Sequence, residues 1–166
     1  MTKRIGVYPG SFDPIHYGHL DLIERGRCLF DEIYVAVPIS NEEKQPLFTV
    51  EERIQMIREL LVDYPDCKVE SFSGLTIDFV NKVGGSAILR GLRAISDFEF
   101  EFQMALMNRR LNPAVETVFM MPRDDLTYIS SRLMKEVSRL GGDLTGLMPE
   151  PILHKLMDRL RKREER

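Results

Sequence analysis

Short apolar runs rich in β-branched residues alternate along the chain with stretches of helical period, the pattern of successive parallel βαβ units. The runs predict strands at Arg4 to Tyr8, Glu32 to Pro38, Lys68 to Phe72, Ala87 to Leu89 and Glu116 to Met121. Between them the period predicts helices at Gly18 to Phe30, Val50 to Leu61, Leu75 to Lys82 and Asp97 to Leu111. Two more helices follow the last strand, Arg132 to Leu140 and Pro151 to Arg163. The second helix is the best marked. Thr49 with Glu52 forms a capping box, and Ile54, Ile57 and Leu61 keep one apolar face. Ser96 with Glu99 repeats the device ahead of Phe102, Ala105 and Leu106, which favours helix although Phe98, Phe100 and Phe102 alternate as in a strand. Gly141-Gly142 ends the fifth helix, and the last carries Ile152, Leu153, Leu156, Met157 and Leu160 on one face. The charged tail Arg159 to Arg166 reads as solvated and frayed. No repeat, low-complexity segment or linker interrupts the series, so residues 1–166 are expected to form a single domain.

In an open parallel sheet, ligands bind beyond the carboxyl ends of the strands where the strand order reverses. Right-handed crossovers with the order 3-2-1-4-5 place the first and fourth strands side by side at that point. The segment after the first strand is Tyr8-Pro9-Gly10-Ser11-Phe12-Asp13-Pro14-Ile15-His16-Tyr17-Gly18-His19, a Gly- and Pro-punctuated loop that opens a helix. Such a turn offers unpaired backbone N–H groups and a positive dipole end to an anion. Ser40 to Pro46, with Lys44, follows the second strand; Arg90-Gly91-Leu92-Arg93 follows the fourth; and Ile129-Ser130-Ser131-Arg132-Leu133-Met134-Lys135-Glu136 follows the fifth. His19, Arg90 and Arg93 are therefore expected to converge on a nucleotide-phosphate site.

Composition narrows the partners. With 43% hydrophobic and 30% charged residues over 166 positions, the chain is an ordinary globular one with material for one core. A net charge of -3 gives no general attraction to nucleic acid or to an anionic membrane, so any anion has to be held by locally placed Lys and Arg. There is neither a signal-peptide pattern nor an apolar run long enough to span a membrane, which points to the cytoplasm. Cys28 and Cys67 have no close second cysteine and read as buried, reduced thiols.

Each candidate also has a plainer role. His16 and His19 can be helix-start residues with satisfied rings, but their setting between a Gly/Pro loop and Gly18 favours function. A metal pair ranks low, since no Cys, Asp or Glu stands at ligand spacing on the same helix. Lys44 alone reads as a surface lysine. For Arg90 and Arg93, surface charge and anion donor are evenly balanced, although Arg90 ends an apolar strand just before Gly91. Ser130 and Ser131 are helix caps whose hydroxyls also face whatever lies beyond the strand. Asp13 and Asp97 read as turn and cap residues, Glu101 as a solvated face residue, and the phenylalanines near it as core or interface.

Taken together, GSFDPIHYGH, RGLRAISDFEFE and ISSRLMKE resemble the nucleotidyltransferase superfamily with its (H/T)xGH motif, and more narrowly the bacterial phosphopantetheine adenylyltransferases. The match runs from Arg4 to about Pro149. The His motif selects only the superfamily; RGLRAISDFEFE is the more specific signature. The resemblance implies a Rossmann-like, doubly wound, five-stranded parallel sheet with flanking helices and C-terminal helices. It further implies transfer of AMP from ATP to 4'-phosphopantetheine, giving dephospho-coenzyme A and pyrophosphate.

It implies roles for matching positions as well. His19 contacts the ATP phosphates and stabilises charge at the α-phosphorus, with Lys44 and Arg93 as the other catalytic cations. Ser11, Lys44, Thr76 and Arg90 hold the acceptor. ATP is contacted by Ser11, Phe12, His19, Gly91, Leu92, Arg93, Glu101, and the run Leu126, Thr127, Tyr128, Ile129, Ser130, Ser131 and Arg132. Ser11 stands where the family usually has Thr, and Arg132 where a third Ser is common. Mg2+ would travel with the triphosphate, coenzyme A would bind as a feedback ligand, and the family assembles as homohexamers. Rival readings are another small-molecule nucleotidyltransferase, of the nicotinamide mononucleotide adenylyltransferase or cytidylyltransferase type, and a non-catalytic nucleotide-binding regulatory module. A fragment of a class I aminoacyl-tRNA synthetase is set aside, because the chain has no room for an anticodon domain.

Overall fold

Ile5–Pro9 (β1), Glu32–Pro38 (β2), Cys67–Phe72 (β3), Ala87–Gly91 (β4) and Glu116–Met120 (β5) form one sheet. Its order is β3-β2-β1-β4-β5, with every pair parallel. The computed structural model describes residues 3–39, 46–93 and 95–164, so Lys44 and the loop around it lie outside the described residues. The helices between the strands are Tyr17–Gly26 (α1), Val50–Leu60 (α2), Thr76–Val83 (α3) and Ile95–Leu111 (α4). Ser131–Arg139 (α5) and Glu150–Glu164 (α6) follow β5, and a 3-10 turn at Asp124–Leu126 lies in the connection to α5.

The strands β1 and β2 are buried on both faces, as in a parallel sheet covered by crossover helices. Alternation along β2 shows this directly. Ile33, Val35 and Val37 join the core layer that contains Leu22, Ile23, Met56, Ile57, Met134, Ile152 and Leu156, from α1, α2, α5 and α6. Tyr34 and Ala36 point the other way, into a smaller layer with Ile77, Phe79 and Val80 of α3. The first two crossovers step leftward from β1, and those through α3 and α4 step rightward, so constant handedness sends the two sets of helices to opposite faces. The reversal falls between β1 and β4, where Gly6 pairs with Ala87 and Val7 with Ile88.

Several boundaries differ from the sequence reading. The helix α4 begins at Ile95, so Ser96 lies inside its first turn and does not precede it; terminal turns routinely extend past a sequence-marked cap. In α2 the Thr49–Glu52 box forms as expected, with the Glu52 N–H donating to Thr49 Oγ1 at 3.2 Å and the Thr49 N–H to Glu52 Oε2 at 2.9 Å. On α6, Met157 is exposed while Ile152, Leu156 and Leu160 are buried, because the apolar stripe is narrower than five residues imply. The tail is not frayed where it is described. It is helical to Glu164, Arg159 donates to the Leu47 carbonyl at 3.0 Å and lies 4.9 Å from the Phe48 ring centre, and Arg163 donates to the Pro46 carbonyl. Cys28 is exposed, against the buried thiol expected, since it sits past the end of α1. Cys67 is half-buried, and desolvation pushes its thiol up to about 11.

Candidate active site

Beyond the carboxyl ends of β1 and β4 lie two cavities that share a wall. The first, of ≈ 460 Å³, is lined by the β1–α1 loop with His16, Gly18 and His19, by Arg90, Gly91, Arg93 and Glu101, and by Leu126, Ile129, Ser130, Ser131 and Arg132. The second, of ≈ 320 Å³, runs toward β3 and α4 and includes Phe72, Gly74, Thr76, Met104 and Asn108. Pro9, Gly10, Ser11, Arg90, Phe100 and Glu101 border both. The three residues expected to converge, His19, Arg90 and Arg93, do so.

The β1–α1 loop is shaped from within. Phe12 adopts a φ of 48°, a left-handed conformation unfavourable for a bulky residue, and its ring is completely buried. The ring packs edge-on to His19 at 4.8 Å and to Tyr8 at 5.3 Å. Its side chain is therefore a core group, and what Phe12 can offer a nucleotide is its backbone. His16 caps α1, and the rings of His16 and His19 stack with centroids 3.7 Å apart. Gly18 is required by this stack, since a Cβ there would lie 3.1 Å from the His16 ring.

The tautomer of His19 follows from its partner. Its Nδ1 accepts the His16 backbone N–H at 3.2 Å, so the neutral ring carries its proton on Nε2. Burial, helped by His16, Arg93 and Arg90, holds its pKa well below the usual histidine value. Burial and Arg93 likewise drive His16 down to about 3. Both rings are neutral near pH 7. Tyr8, which also lines the first cavity, is kept a neutral phenol by its burial.

Arg90 spans the wall between the cavities. Its Nε donates to Glu101 at 2.7 Å, a second nitrogen pairs with the other Glu101 oxygen, and a third donates to the Pro9 carbonyl at 2.8 Å. Glu101 is thus a buried ion-pair partner and not a solvated face residue. Arg93 donates to the Ile129 carbonyl at 3.2 Å, tying β4 to the segment before α5. Ser130 is the N-cap of α5, its Oγ accepting from Leu133 N–H at 3.1 Å, whereas Ser131 Oγ donates to the Pro14 carbonyl at 2.8 Å. Leu92, Thr127 and Tyr128 lie outside the lining. The Leu92 N–H continues the sheet to Met120, the Thr127 hydroxyl donates to Asp124, and Tyr128 points to solvent.

Sequence reasoning missed the residues that hold this loop from behind. Arg53 is 1% exposed and donates to the Ser11 carbonyl at 2.7 Å and to the Thr49 carbonyl at 3.3 Å. Its position four residues before Ile57 put it on the apolar face of α2, the one signal that could have flagged it. Asp13 is fully buried and accepts from the Leu47 and Phe48 N–H groups and from Lys135. Among the described residues no group of three or more His, Cys, Asp or Glu is placed to hold a metal, and no helix is long and apolar enough to cross a membrane.

A parallel sheet with a phosphate-type cleft at its switch point defines a nucleotide-binding α/β protein, and the cytidylyltransferase-like family matches residues 7–137. The phosphopantetheine adenylyltransferase of Syntrophus aciditrophicus is 55% identical over 157 residues, covering 95% of this chain and 94% of that protein. That of Caldanaerobacter subterraneus is 48% identical over 159 residues, 96% of this chain and 99% of the relative. In fold, a protein of Vibrio parahaemolyticus described as a nicotinate-nucleotide adenylyltransferase superposes with a TM-score of 0.68 at 15% identity, over 94% of this chain and 99% of its own. The chain belongs to the cytidylyltransferase-like nucleotidyltransferases and, within them, to the phosphopantetheine adenylyltransferase family.

Proposed function

We propose that this protein transfers AMP from ATP to 4'-phosphopantetheine, releasing pyrophosphate and forming dephospho-coenzyme A, a step of coenzyme A biosynthesis. The observation that carries this reading is the wall common to the two cavities. One is large and rich in phosphate donors, the other is narrower and partly apolar, and Ser11, Arg90 and Glu101 border both. ATP would occupy the first, with His19, Gly91, Arg93 and Ser130 to Arg132 around it. The acceptor's arm would lie along Thr76 in the second, with its phosphate near Ser11 and Arg90.

An acceptor phosphate oxygen attacks the α-phosphorus, a new P–O bond forms, and the α–β P–O bond breaks to release pyrophosphate. The acceptor monoester is largely dianionic at neutral pH, with a second pKa of about 6, so no strong base is needed. Positioning and fixed donors do the work. His19 suits this role as a neutral Nε2–H donor, since its buried ring resists taking up a second proton. Arg93 and Lys44 would supply positive charge. Arg90, now bound to Glu101, would share its guanidinium with the acceptor phosphate.

The donor set of the cleft fits Mg2+ carried on the triphosphate and not held by a protein cage, because cations, N–H groups and hydroxyls surround the space and Glu101 is engaged by Arg90. When bound, the ion would neutralise phosphate charge. The exposed residues Phe98, Phe100, Phe102, Met104, Leu106 and Met107 of α4 support assembly as a homohexamer. We further propose one domain, a cytoplasmic location and feedback binding of coenzyme A. The test is pyrophosphate release from ATP. Release is expected with 4'-phosphopantetheine; release only with nicotinamide mononucleotide or glycerol phosphate, or ATP binding without release, would overturn the reading.

A further inference from the structure

We propose that Lys135 is a positioning residue, setting the nucleotide side of the cleft through Asp13 and not by touching substrate. Lys135 Nζ donates to Asp13 Oδ2 at 3.0 Å, across 122 residues of sequence. The Lys135 side chain is 14% exposed and that of Asp13 1%, so this pair is nearly dry. The remaining capacity of the carboxylate is taken by the Leu47 N–H on Oδ2 and the Phe48 N–H on Oδ1, both at 2.8 Å. Asp13 is thereby the joint of three segments. They are the β1–α1 loop that carries Ser11 and His19, the approach to α2, and α5.

Lys135 projects from α5 one turn after the residues that line the nucleotide cavity, and it does not line that cavity itself. One turn earlier, Ser131 Oγ donates to the Pro14 carbonyl of the same loop at 2.8 Å. Two contacts therefore fix the first two turns of α5 against the loop, one neutral and one ionic. In the ionic one both partners are largely withdrawn from solvent, so that removing one charge leaves the other without compensation. Loss of the ammonium would loosen the Asp13 carboxylate, and with it the separation between His19 on α1 and Ser130 at the start of α5. A shift near 1 Å in such a constellation lowers a rate by up to about 100-fold.

This proposal rests on the transfer reaction for its kinetic test but also has a readout independent of substrate. In Lys135→Met, amide hydrogen exchange at Leu47 and Phe48 is expected to quicken, because their acceptor is no longer held. Unchanged protection there would overturn the proposal whatever the enzyme acts on. In pyrophosphate release with ATP and 4'-phosphopantetheine, kcat is expected to fall by about 10- to 100-fold while the KM for ATP stays near that of the wild type. Lys135→Arg is expected to recover most of the rate. A raised KM for ATP with kcat intact would make Lys135 a direct phosphate ligand, and an unchanged kcat in a folded variant would leave the pair merely structural; either sinks the proposal. If Lys135→Met does not fold, Lys135→Gln retains a donor to Asp13 without the charge and is read by the same two measurements. An inactive wild type would count against the proposed acceptor, while the exchange experiment would still decide on Lys135.

Discussion

His19 owes its properties to three contacts with two neighbours. The His16 N–H occupies Nδ1, the His16 ring covers one face at 3.7 Å, and Phe12 meets it edge-on. Replacing it by alanine removes one preorganised donor and a packed ring. His19→Ala is expected to lower kcat by about 100- to 1,000-fold, as for loss of one such donor, with circular dichroism showing a retained fold. Near-normal turnover would refute its role. The buried pair also has a signature in stability. His16 falls from 6.5 to about 3 on folding, so between those values the unfolded chain binds a proton that the folded one refuses, and His19 moves in the same direction. Stability is then fully present above about pH 6.5 and declines on acidification, by about 1.4 kcal/mol per pH unit for His16, with His19 adding in the same direction. Denaturant midpoints measured from pH 7 down to pH 4 should fall accordingly, and His16→Asn should flatten the slope.

At the level of elements, the β1–α1 loop is a shared part gripped by two helices, α2 and α5. Arg53 of α2 holds the Ser11 carbonyl, Ser131 of α5 holds that of Pro14, and Asp13 receives Lys135 of α5. The carbonyls of Pro46 and Leu47 are in turn held by Arg163 and Arg159 of α6. The helix α6 therefore supports the approach to α2 from outside the sheet. Arg53→Leu keeps bulk on the apolar face but leaves the Ser11 carbonyl without its charged donor, which is expected to cost about 2–3 kcal/mol in urea unfolding. A loss below about 0.5 kcal/mol would show that the carbonyl finds water instead.

Across the whole molecule, one helix stands apart. Most apolar side chains of α1, α2, α3, α5 and α6 are drawn into the two core layers, whereas α4 leaves Phe98, Phe100, Phe102, Met104, Leu106 and Met107 largely open. Phe98 and Phe102 stack on each other at 5.7 Å without being covered. Phe100 and Met104 of this patch also line the cavities, so the proposed assembly would bring a second copy close to the site. Light scattering is expected to give six chain masses. Phe98→Glu together with Phe102→Glu should lower that mass; a monomeric wild type would overturn the proposed hexamer.

Periodicity, helped at α4 by the Ser96–Glu99 cap pattern, located every strand within two residues and all six helices, because burial on a parallel sheet imposes continuous apolar runs and helix faces impose a period of 3.6. The common order of doubly wound sheets, with right-handed crossovers, then anticipated the strand order, and with it the meeting of His19, Arg90 and Arg93. What tertiary structure decided was the partner of each polar group. Asp13 reads as a turn residue until its carboxylate is seen to receive Leu47, Phe48 and Lys135, and Glu101 as a surface acid until Arg90 closes on it. Those contacts join residues up to 122 apart, where no local pattern records the pairing. The anion-binding loop after β1 is thus written in its own residues, but its rigidity is lent by charges from α2 and α5, whose burial only the folded chain creates.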